Sequence, residues 1–150
     1  MAIWGKGGEG MGRTVRPERS GKKSPYWLEK HRYYELEHFC LQYPTWKKAY
    51  AALDGLSRRP IELAAHFRTN ALSDPTARCA EAMLFYSERM DMLVRVAKAT
   101  DLGLWDYILA GVTEGLSYDQ LKARLEIPCG RAEYYDFYRR FFWLLDKERQ

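Results

Sequence analysis

Apolar residues recur along this chain at intervals of three and four, and no stretch alternates with the period of a strand. The pattern predicts an all-α fold, a compact helical bundle ending in a helix-turn-helix. A first helix is expected from Ser24-Pro25, with serine as cap and proline in the first turn. It places Leu28, Leu36, Phe39 or Cys40, and Tyr43 on one face, and Pro44-Thr45 breaks it. Thr45 caps a second helix through about Leu53, with Trp46, Ala49, Tyr50 and Leu53 inward and Asp54-Gly55 as its stop. A short link between two such helices predicts an antiparallel α-hairpin. Residues 57–72 are less regular: Arg58-Arg59-Pro60 punctuates, and 61–67 fits a short helix.

Asp74-Pro75 is a strong start signal for a long helix to about Thr100. Cys79, Met83, Tyr86, Met90, Leu93 and Ala97 recur close to a heptad seam, with Arg78, Glu81, Glu88, Arg89, Asp91, Arg95 and Lys98 for its wetter faces. Such a seam suits a buried bundle helix or the contact face of a homodimer. Asp101 is the expected cap of a helix over 103–113, which Gly115 stops. Ser117 and Gln120 form a capping box for a helix to about Leu125; Pro128 and Gly130 make a turn, and the last helix begins near Arg131. The chain thus divides into residues 1–23, a glycine-rich arm; 24–100, a helical hairpin plus long central helix; and 101–150, the helix-turn-helix unit.

Charge changes the reading of the arm. Lys6, Arg13, Arg16, Arg19, Lys22 and Lys23 against Glu9 and Glu18 account for the whole net charge of +4. A polar segment with six glycines cannot bury enough surface to offset its ordering entropy, so the arm is expected to be disordered. It is either a solvated tail or a phosphate-contacting arm of the kind homeodomains use. Its glycines do not form a P-loop, because neither the lysine position nor a strand-to-helix context matches.

The rest of the composition mainly excludes. No apolar run approaches the roughly 20 residues that span a bilayer, and the N-terminus is not a secretory signal. Cys40, Cys79 and Cys129 are widely spaced and lie beside apolar residues, which points to buried thiols and a reducing, cytoplasmic setting. His31, His38 and His66 are scattered, and no metal-ligand motif or catalytic constellation is present, so neither cofactor, metal site nor enzymatic activity is expected. Lys30, Arg32, Lys47, Lys48, Arg58 and Arg59 interleave with Tyr33, Tyr34 and Trp46; that mixture fits either a single-strand-binding surface or a solvated face over core aromatics.

Candidate chemistry concentrates at the C-terminus. A short capped helix, a tight turn and a long basic-aromatic helix make the order of a DNA-reading helix-turn-helix. Core spacing in the last helix selects Tyr134, Phe137, Tyr138, Phe141, Leu144 and Leu145. Arg131, Glu133 and Tyr135 are then placed for base edges, and Arg139 and Arg140 for phosphates, with Lys122 and Arg124 beside them on the preceding helix. Glu133 and Asp136 oppose phosphate on the same face. The alternative is a protein contact through exposed Trp143, Tyr135 and Arg139.

The segments at 34–46, 74–76, 127–131 and 139–145 resemble small proteins encoded in prophages of Gram-positive bacteria. Some of these are labelled phage transcriptional regulators by likeness to late-gene activators of the RinA/ArpU type, whose C-terminal part resembles sigma-factor region four. The resemblance covers residues 24–149. It implies a transcription regulator binding duplex DNA, with residues 131–140 as the recognition segment and host RNA polymerase as a further partner. The chain departs at Tyr138, where the resemblance implies another basic residue. The rival reading is a phage protein that blocks a host nucleic-acid enzyme such as a nuclease, an anti-CRISPR being one form.

Overall fold

The computed structural model describes residues 22–57 and 75–150, and every regular element among them is a helix. In chain order these are α1 (Lys30–Leu41), α2 (Tyr43–Ser57), α3 (Pro75–Thr100), α4 (Trp105–Glu114), α5 (Tyr118–Leu125) and α6 (Arg131–Glu148). The short helix expected over 61–67, the Arg58-Arg59-Pro60 break and most of the arm lie outside the described residues. Lys22 and Lys23, at the end of the arm, are exposed.

Several helix ends differ from expectation, each for a local reason. Ser24 does not start α1: its hydroxyl accepts from Tyr26 N–H at 3.3 Å and its carbonyl from Trp27 N–H at 3.2 Å, closing a turn instead. The cap is Glu29, whose carboxylate accepts from His31 N–H at 2.9 Å and Arg32 N–H at 3.1 Å. Pro44 does not break the chain. Gln42 alone separates α1 from α2, and the first helical bond of α2 runs from Trp46 N–H to Gln42 O at 3.0 Å. That puts proline in the first turn, where its missing N–H has no partner to lose. Gly55 does not stop α2, which continues to Ser57. Asp101 caps the turn ahead of α4, accepting from Leu104 N–H at 2.8 Å, while α4 itself begins at Trp105.

The described chain falls into two compact units, residues 22–41 with 93–150 and residues 42–57 with 75–92. This grouping cuts through α3 rather than at its end, and it assigns α1 and α2 to different units. Burial along α3 follows the cut: Leu93, Val96, Ala97 and Thr100 are buried, and no residue from 75 to 92 is.

In the first unit α1, α4 and α6 pack on one another and α5 packs on α4. Tyr33, Leu36 and Cys40 of α1, Ile108 and Val112 of α4, and Tyr134, Phe141, Phe142 and Leu145 of α6 form its centre. The rim is tied by charge. Arg32 Nε donates to Asp146 at 2.6 Å, and Arg95 donates to Glu148 at 2.7 Å. The hydrogen bond to Asp146 is the largest reason the Arg32 guanidinium is held above its ordinary pKa. In the second unit the thiol of Cys79 donates to Leu53 O at 3.6 Å. The α3 seam is turned toward α2 at Cys79, while Cys79, Met83, Tyr86 and Met90 are only half-buried.

Tyr33 and Trp46, candidates for stacking on a single strand, are both buried. Arg32 is committed to Glu35 and Asp146. These two aromatics are core, whereas Tyr34 is half-buried.

Candidate nucleic-acid interface

The site is built from the end of α4 onward. Gly115 takes φ 67°, a left-handed value that glycine meets without strain, and its N–H and that of Leu116 return to Gly111 O. The chain then enters α5 through the predicted capping box. Gln120 N–H donates to the Ser117 hydroxyl at 3.3 Å, and Ser117 N–H donates to the Gln120 side chain at 2.9 Å. Leu121 anchors α5 in the core.

The α5–α6 link, residues 126–130, is held from several sides. Glu126 ends α5 in the left-handed region at φ 54°. Ile127 and Cys129 are buried, and burial pushes the Cys129 thiol up, with Glu133 adding to it. Lys122 Nζ donates to Ile127 O at 3.2 Å, and the Tyr118 hydroxyl donates to Cys129 O at 2.7 Å. Gly130 is the N-cap of α6 and supplies no side chain to the first-turn amides.

The phase of α6 differs from the one expected. Tyr134, Tyr135, Tyr138, Phe141, Phe142 and Leu145 are buried, whereas Phe137 and Leu144 are half-buried. Two helices, α1 and α4, pack against α6 and widen its buried stripe. Tyr135 is therefore not a surface residue for bases or for a partner. It is 3% exposed, and its hydroxyl accepts from Tyr118 N–H at 3.3 Å. Tyr138, where the family resemblance implies a basic residue, hydrogen-bonds the Tyr33 hydroxyl in the core. Burial, and next the neighbouring Tyr33, push the Tyr138 phenol well up, so it stays neutral. A lysine or arginine there would bury an unpaired charge.

The remaining candidates stay on the outside in different states. Arg131 is half exposed at 52%, donates from Nη2 to Asp119, and lies 5.2 Å from the Tyr118 ring centroid. Arg139 is 17% exposed and donates to Asp136 one turn back. Arg140, Arg124, Lys122 and Glu133 are exposed. Trp143 is half-buried, 5.7 Å from the Tyr26 ring and with Lys147 Nζ 4.1 Å from its own ring. It is less available to a partner than an exposed tryptophan.

Tyr118 and Asp119, which lie against Arg131, are absent from the sequence-derived candidates. The signal was present: an aromatic and an acid directly after a capping serine, on the helix preceding one that opens with arginine. Among the described residues no cluster of histidine, cysteine or carboxylate has metal-binding geometry, and no helix is long and apolar enough to cross a membrane. The chain matches no family model, no curated protein and no solved structure.

Proposed function

We propose that this chain is a DNA-binding transcriptional regulator of phage type that reads duplex DNA with α5, the 126–130 turn and α6 as a helix-turn-helix. The observation that carries the reading is the rigid mounting of the α6 start. The capping box, the Tyr118 bond to Cys129, the Lys122 bond to Ile127 and buried Ile127 fix it, while Arg131 stays half exposed. A reading helix needs both properties, because base contacts depend on a fixed helix start and a reachable side chain. Arg131 would meet a base edge, and Lys122, Arg124 and Arg140 would meet phosphates. Arg139 has a weaker claim, since it is paired with Asp136 and only 17% exposed.

The test is binding of labelled random duplex over a range of salt. Three phosphate contacts at about 0.9 counterions each give a log–log slope near −2.7, or about a 40-fold loss of affinity between 50 and 200 mM salt. Failure of folded, monodisperse protein to bind any duplex at low salt refutes the reading.

A protein partner, such as a host nuclease to be blocked, is the second reading, and a different part of the molecule favours it. On α3, Leu84 is 56% and Phe85 46% exposed. Adjacent exposed apolar side chains suit a protein contact better than a phosphate backbone. This reading predicts that Leu84→Asp with Phe85→Ser abolishes function while duplex binding is absent in the wild type.

A further inference from the structure

Arg131 is held from two sides by one helix. Asp119 accepts from its Nη2, and the Tyr118 ring lies beside its guanidinium carbon at 5.2 Å from the centroid. Neither holder is loose. The Tyr118 hydroxyl donates to Cys129 O at 2.7 Å and its N–H to the Tyr135 hydroxyl at 3.3 Å. Asp119 follows it in the first turn of α5, which the Ser117–Gln120 capping box fixes. The arrangement therefore spans the turn, with the holders on α5 and the arginine at the start of α6.

The ion pair is a weak candidate for fold stability. Its partners are 52% and 53% exposed, and exposed pairs contribute little. What it does supply is a choice of rotamer. An arginine already held in one geometry loses less freedom when the rest of its N–H fork meets a second acceptor. The acceptor that fits a planar, pre-oriented fork in the major groove is the O6/N7 edge of guanine. Two roles for Asp119 then make opposite predictions. As a bare negative charge it opposes every phosphate, and its removal strengthens binding to all DNA alike. As a holder of Arg131 it is needed for selectivity, and its removal weakens the preferred site relative to the rest.

We propose that Asp119 is a positioning residue for base readout: with Tyr118 it presets Arg131 for a guanine edge and keeps that arginine from settling on phosphate. The inference rests on the DNA-reading function proposed above.

The test uses full-length protein, a duplex selected from a random library by the wild type, and a random duplex of equal length. Dissociation constants are measured for the wild type, Asp119→Asn, Arg131→Ala, the double variant and Asp119→Glu. Arg131→Ala is expected to cut the preference for the selected duplex by about tenfold or more. Asp119→Asn is expected to reproduce much of that loss while its affinity for random duplex stays equal or rises. It should add nothing in the Arg131→Ala background, and Asp119→Glu should restore part of the preference. The helical circular dichroism of Asp119→Asn should match that of the wild type; its loss would make Asp119 a structural residue and overturn the proposal. An Asp119→Asn preference equal to the wild type's, or a loss that persists without Arg131, overturns the positioning role alone. Absence of duplex binding by the wild type overturns the DNA reading and this inference together.

Discussion

Gly111→Ala is expected to destabilise the first unit, although alanine is the better helix former. In a helix interior the exchange alone favours alanine by about 1 kcal/mol. Here α4 crosses α6 at Gly111, and a Cβ would clash with the Tyr134 hydroxyl while meeting Tyr134 Cζ and Leu121 Cδ1 at 3.3 Å. The tyrosine has little room to yield. It is fully buried, with the rings of Tyr135, Tyr118 and Tyr138 at 5.1, 6.1 and 6.2 Å. Overpacking of this kind costs about 1–3 kcal/mol and more where backbone must shift. Among the described residues the Tyr134 hydroxyl is the buried side-chain polar atom without a hydrogen-bond partner. An orphaned group costs about 1–3 kcal/mol, so Tyr134→Phe should stabilise by up to that amount. Removing the hydroxyl also removes the main clash. The two changes must therefore couple: Gly111→Ala destabilises the wild type, and in the Tyr134→Phe background it becomes neutral or favourable. Thermal and urea melts of the four proteins measure the cycle, at about 2–4 °C per kcal/mol. Coupling below about 0.5 kcal/mol would refute the packing argument. So would a Gly111→Ala variant more stable than the wild type.

Four further outcomes follow from the same structure. Phe141→Ala should cost about 3–5 kcal/mol, because Phe141 is fully buried; an unmoved melting temperature would deny its core position. Ser117→Ala should cost about 0.5–2 kcal/mol by removing the acceptor for Gln120 N–H, and an unchanged urea midpoint would mean the cap is redundant. Burial raises the thiol of Cys40 above 9.0 and the phenols of Tyr134 and Tyr138 above 10.0. The folded state then holds more protons than the unfolded one in alkali. Stability should be intact below about pH 8 and fall as pH rises past these ordinary values, less steeply in Tyr134→Phe; a flat profile from pH 8 to 11 would contradict it. Removing residues 1–23 deletes the whole net charge of +4 and should weaken duplex binding at low salt, whereas equal affinity would make the arm a bystander.

The elements with explicit punctuation were legible in the sequence. The helix from Pro75 to Thr100, the Gly115 stop and the Ser117–Gln120 box appear where expected, because each rests on local geometry that packing does not override. The wet faces of α3 were legible too, with Arg78, Glu81, Glu88, Asp91, Arg95 and Lys98 exposed and Arg89 half-buried against Phe85. The misread ends are those where two local signals compete. Ser24 and Glu29 both offer an acceptor to nearby amides, and the helix takes Glu29 while Ser24 closes a turn. Pro44 reads equally as a stop or as a first-turn residue, and the choice depends on the single-residue link at Gln42.

The site was harder to read because its helix is aromatic nearly all round. Seven of the twelve residues from 134 to 145 are Tyr, Phe or Trp, so hydrophobicity alone does not set the phase. What sets it is polar and steric. The Tyr138 hydroxyl finds Tyr33, the Tyr135 hydroxyl finds Tyr118 N–H, and Tyr134 finds the gap left by Gly111. Each of these partners lies on another segment, more than fifteen residues away in sequence, where helical spacing carries no information. The consequence reaches function. With Tyr135 turned inward, the α6 start keeps Arg131 and Glu133 as its outward polar pair, and Tyr135 becomes a strut that fixes Tyr118, the ring beside that arginine. A tyrosine expected to touch a ligand is instead part of the packing behind Arg131.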